Sequence, residues 1–158
     1  MTSMAACTTL STLFQLDRIR ARGGVVGLVD DLLTYCADRR ARLTWSAGVV
    51  TANPVDGGAV ESVRPDVRNS AYRACLARLS AICHEQQPEA GSPYGGAGEF
   101  VVDRLPGVRF RLDFMNTPDE QRLELVPVAV TEVEAGRNGM RGTIHAGPGT
   151  VQAEQSGY

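Results

Sequence analysis

The stretch Val108-Arg109-Phe110-Arg111-Leu112-Asp113-Phe114-Met115-Asn116-Thr117-Pro118-Asp119-Glu120-Gln121-Arg122-Leu123-Glu124-Leu125-Val126 decides the fold. Val108, Phe110, Leu112 and Phe114 alternate with Arg109, Arg111 and Asp113, a period of two that predicts a strand with one apolar and one polar face. Met115 to Glu120 holds the turn formers Asn116-Thr117-Pro118-Asp119, and Leu123 and Leu125 then resume the alternation. With Phe114 opposite Gln121, Leu112 meets Leu123 and Phe110 meets Leu125. The same register sets Arg111 against Glu124 and Asp113 against Arg122. Opposite charges directly across an antiparallel pair contribute about 0.2–1 kcal/mol each. An antiparallel hairpin with one buried and one solvated face is therefore expected.

Upstream, the apolar period is helical. Leu10, Leu13 and Phe14, widened by Leu16 and Ile19, predict a helix from about Thr8 to Arg22, ended by Gly23-Gly24. Val25, Leu28, Val29, Leu32 and Cys36 form the stripe of a second helix, and the short glycine joint predicts an αα-hairpin. From Leu43 to Val50 the period is two, which predicts one strand. Asn53-Pro54 and Asp56-Gly57-Gly58 break it, and Ala59 to Val63 offers a short partner strand. Pro65-Asp66 opens a third helix, with Tyr72, Cys75, Leu76, Leu79, Ile82 and Cys83 on its apolar face and Gln87-Pro88 at its end. Pro88 to Gly98 has the composition of a loop, and Phe100 to Val102 of a short strand.

The expected class is α+β: an N-terminal αα-hairpin and a third helix packed on one face of a four- to five-stranded antiparallel sheet. Residues 1–127 make a single core domain in this reading. Residues 128–158 form a C-terminal extension, with a hairpin at 131–145 through Asn138-Gly139 and then a flexible tail.

Of the 158 residues, sixteen are arginine and none is lysine. This removes lysine Schiff-base, general-base and P-loop chemistry. Two causes compete for it: G/C-rich codon usage, and selection against lysine tagging in a viral or host-directed effector. A net charge of -2 lacks the basic footprint of sequence-independent nucleic-acid binding. No apolar run reaches membrane-span length, and residues 1–9 lack the pattern of a signal peptide. Cys36, Cys75 and Cys83 fall at apolar helix positions, so reduced, buried thiols and a cytoplasmic, reducing compartment are expected.

Candidate sites are few. Arg18, Arg20 and Arg22 close the first helix and Arg39, Arg40 and Arg42 the second, where cations complement the helix dipole. Arg39, Arg40, Arg42 and Arg109 are the candidate partner-binding residues. Gly24-Val25-Val26-Gly27, joining two helices, resembles the GXXG loop of KH domains. The resemblance covers roughly residues 8–85 and implies nucleic-acid binding through Gly24 and Gly27, with Arg20 and Arg22 beside them. Cys83-His84 are adjacent on a helix and so do not face each other, and any base for a thiol-dependent enzyme must come from elsewhere. Two histidines without ligand spacing suggest no metal, and no cofactor is expected. No nucleophile, base and orienter are seen together. The preferred reading is a non-catalytic, intracellular protein-interaction module, an accessory, adaptor or assembly protein that self-associates, with the KH-like domain and the small thiol enzyme as alternatives.

Overall fold

A computed structural model describes residues 8–129. The expected extension 128–158 lies outside them except for Val128 and Ala129, as does Cys7. The elements run α1 (Leu10–Leu13), α2 (Leu16–Ala21), α3 (Val25–Arg39), β1 (Ala41–Ser46), β2 (Val49–Pro54), β3 (Glu61–Val63), α4 (Asn69–Gln86), β4 (Gly91–Ser92), β5 (Gly95–Val101), β6 (Val108–Asn116) and β7 (Gln121–Ala129). The strands form one seven-stranded sheet in the order β3-β2-β1-β7-β6-β5-β4. The class is α+β, with more strands than the four or five expected.

Side chains on one face of the sheet meet the helices. Leu43, Trp45, Val50, Ala52, Phe100, Phe110, Leu112, Phe114, Leu123 and Leu125 are all buried there. Against them, α3 packs on α4 and β1, and α4 on β5 and β6. Fully burying a side chain of this size stabilises by about 1.5–3 kcal/mol, so this one layer dominates the core. Phe100 and Phe110, opposite each other in register, stack with ring centroids 5.4 Å apart.

The first helix departs from expectation. It breaks at Phe14-Gln15, where Gln15 is extended (ψ 127). Phe14 turns inward to meet Trp45 edge-on at 5.4 Å. Leu16, expected on the apolar stripe, is left 51% exposed. The Gly23-Gly24 joint behaves as expected: Gly24 N–H donates to Ile19 O (2.8 Å) and Gly23 N–H to Arg20 O (3.3 Å), the paired bonds of a Schellman cap.

The expected strand Leu43–Val50 is a hairpin. Ala47 (φ 52) and Gly48 (φ 78) both take left-handed conformations, as a two-residue primed turn requires. Trp45 therefore faces Val50 across β1 and β2, and Val50 rather than Val49 points inward. The hairpin of β6 and β7 is present but tighter than expected. Thr117 N–H donates to Glu120 O (2.9 Å), closing a two-residue turn at Pro118-Asp119. Counted from that closure, Phe114 faces Leu123 and Leu112 faces Leu125, two residues from the expected register. Arg122 still meets Asp113 (3.5 Å), but Arg111 pairs with Glu99 on β5 (3.5 Å) instead of Glu124.

The glycine-rich stretch 95–98 is not a loop but the start of β5. A Cβ on Gly96 would lie 2.2 Å from Ala90 O, and one on Gly98 2.7–2.8 Å from Ala90 Cβ, Cys83 Sγ and Gln87 Oε1. Only glycine admits α4 and the segment after it so close to the strand. Past β4, the free edge of β5 is closed by the Ala90 backbone and the Gln86 and Gln87 side chains. Ala97 N–H donates to Ala90 O (3.0 Å), Glu99 N–H to Gln87 Oε1 (2.9 Å) and Val101 N–H to Gln86 Oε1 (2.9 Å), while Gln86 Nε2 donates to Val101 O (2.8 Å).

Candidate binding cleft

The arginines singled out in the sequence are not brought together. Arg39 pairs with Glu61 (2.9 Å), donates to Thr8 O and lies over the Tyr35 ring (4.6 Å). Arg40 ends α3 in the left-handed region (φ 49) and pairs with Asp56 (3.3 Å). Arg42 and Arg109 sit on the outer sheet face, on β1 and β6, with β7 between those strands. Arg109 meets Glu99 (3.6 Å).

The Gly24–Gly27 turn is built differently from an open backbone clamp. Gly24 caps α3 with φ 75, and Gly27 is buried inside the first turn of that helix. A Cβ on Gly27 would fall 1.8 Å from Arg22 O, so this glycine serves the packing of α2 against α3. Arg18 and Arg22 are both turned onto Asp31 (3.5 and 3.1 Å). The Arg20 side chain has no hydrogen bond or ion pair among the described residues.

Cys36, Cys75 and Cys83 are buried and free. Burial pushes the Cys36 and Cys75 thiols up to about 12. Burial, with the nearby Glu99 charge, raises that of Cys83. All three are therefore poor thiolates at neutral pH. His84 is exposed while its neighbour Cys83 is buried. Among the described residues no group of three or more His, Cys, Asp or Glu side chains could hold a metal ion, and no helix is long and apolar enough to cross a membrane.

The concave feature that stands out is an open cleft of about 490 Å³ at one end of the sheet. The turn of β1 and β2 supplies Trp45, Ser46, Ala47 and Gly48; the entry to α4 supplies Pro65, Val67, Asn69 and Tyr72; and the turn of β6 and β7 supplies Asp119, Glu120 and Gln121. Trp45 and Tyr72, 2% and 6% exposed, lie with ring centroids 3.6 Å apart and form the aromatic floor. The Tyr72 hydroxyl donates to Gln121 O (3.3 Å), tying α4 to β7.

Trp45 is different. Its indole N–H has no hydrogen-bond partner among the described residues. Ala47, on the wall, holds a left-handed conformation that costs a non-glycine residue about 1–2 kcal/mol.

Sequence reasoning missed this site because three separated stretches build it. Trp45 and Tyr72 read as core aromatics, which they also are. The available signal was the pair of turns flanking an inward tryptophan, and the alternation running through Ala47 concealed the first of them. No protein-family model matches the chain, and no curated protein matches it either.

Proposed function

We propose that the protein is a non-catalytic protein-interaction module, an accessory, adaptor or assembly protein that seats part of its partner in the Trp45 cleft. The observation that carries this reading is the open cleft floored by the buried rings of Trp45 and Tyr72. Such a pocket anchors a partner through shape and one or two polar contacts. The lining offers no thiol or imidazole, its tyrosine hydroxyl is engaged, and its carboxylates stand on an exposed turn. An intracellular, reducing setting belongs to the same proposal, supported by the three free thiols.

Placing a photo-crosslinking residue at Ser46, on the cleft rim, tests it. A discrete covalent adduct with another polypeptide is expected in the cells that make the protein. Adducts from Thr51 on the outer sheet face, with none from Ser46, would overturn the cleft as the seat. Self-association, the partner that the sequence favours, is part of the proposal but has little edge to use. β3 is three residues long, and β5 is closed by Gln86 and Gln87. A solution molar mass from light scattering reads it directly.

A further inference from the structure

We propose that the Gln86 and Gln87 side chains plug a strand-binding edge: they occupy the β5 backbone groups at which a strand from a second copy of this chain would otherwise add. The inference is independent of the cleft. Pairing with β6 uses one side of the β5 backbone. On the other side, at alternate residues, the N–H groups of Ala97, Glu99 and Val101 point away from β6. Ala90 O takes the first, from the segment that leads into β4. The other two have no strand beside them, and the glutamines at the end of α4 take them instead.

The manner of this contact carries the argument. At a hydrogen-bonded antiparallel pair, the facing residue accepts from the strand's N–H and donates to its C=O. Gln86 does both with one side-chain amide: Oε1 accepts from Val101 N–H (2.9 Å) and Nε2 donates to Val101 O (2.8 Å). A primary amide carries the donor and acceptor of a peptide unit, so it substitutes there for a neighbouring strand. Gln86 and Val101 are both exposed, and water would satisfy these groups if the amide left. The plug therefore adds little to stability, and its effect falls on access. Without it, Val101 can face Val101 of a second copy across a two-fold axis and exchange both bonds, one edge serving both partners. The Val101 side chain, 45% exposed, gains apolar cover in that pairing. The edge freed is short, so the association is weak and shows at high concentration.

Light scattering on the full chain tests this, with the parent's own mass, whatever surface it uses to self-associate, as the baseline. Gln86→Ala combined with Gln87→Ala should match the parent when dilute and rise with concentration toward twice its mass. Cys36 and Cys75 should stay unlabelled by a thiol reagent, which shows the fold intact. Adding Val101→Lys, which sets like charges face to face across the pair, should return the mass to that of the parent. If the double variant loses its thiol protection, Gln86→Ala alone, which frees Val101 and leaves Gln87 in place, should show the same rise. A folded variant whose mass equals the parent's at every concentration would overturn the plug, as would a rise that Val101→Lys leaves unchanged. Loss of protection in both variants would overturn it too, because the amides would then hold the fold rather than guard the edge.

Discussion

The Glu61 carboxylate gathers three segments that are far apart in the chain. It accepts from Leu10 N–H (2.9 Å), the Tyr35 hydroxyl (2.6 Å) and the Arg39 guanidinium (2.9 Å), binding β3 to α1 and α3. Burial pushes this carboxyl upward, but the Tyr35 and Leu10 hydrogen bonds and the Arg39 charge outweigh it and hold it below the ordinary range. Hydrogen bonds to a charged group contribute about 1.5–3 kcal/mol, less where water competes. Glu61→Ala should therefore cost about 1–3 kcal/mol in denaturant unfolding at neutral pH. A depressed carboxyl stabilises the fold above the ordinary glutamate value of about 4.3. That contribution is lost as the pH falls through the folded value. The gap between the parent and Glu61→Ala should narrow on acidification; a gap that stays constant would mean that charge plays no part. Nothing in the sequence marks this glutamate, because its partners lie 22 to 51 residues away.

At the scale of elements, β6 and β7 were legible because alternation and turn formers agree, but their register was not, since Arg111 pairs with Glu99 on β5 and not with Glu124. Helix α4 was legible through its apolar stripe. The Schellman joint was legible because two consecutive glycines admit few other readings. The rest failed for physical reasons. Leu43, Trp45, Ala47 and Val49 keep an unbroken period, yet the chain reverses at Ala47-Gly48, where a left-handed alanine gives no compositional signal. Gly95 to Gly98 reads as a loop because propensity is local, whereas the need for glycine there comes from α4. Gly96→Ala tests that account: with Ala90 O in the way, it should destabilise by about 1–3 kcal/mol and increase amide exchange in β4 and β5. An alanine accepted at no cost would show that the strand is not held against that segment.

Across the molecule, the buried thiols make a prediction about the fold as a unit. Cys36 and Cys75 should stay unlabelled by a thiol reagent in the native state and react together with global unfolding. Reaction of either under native conditions, well before the far-ultraviolet signal changes, would reveal a local opening of α3 or α4.

The sheet order has a further consequence, one of timing. β7 is the final described strand of the chain, yet it lies between β1 and β6. During vectorial synthesis the hairpin of β1 and β2 and the pairing of β5 with β6 can form early. The two halves cannot be zipped until residues 121–129 have left the ribosome. Until then two central strands, rich in Leu, Phe and Trp, stand as open edges, the state in which nascent chains stick to one another or to a chaperone. Closure by one late, non-local strand should make the final folding step slow for a domain of this size.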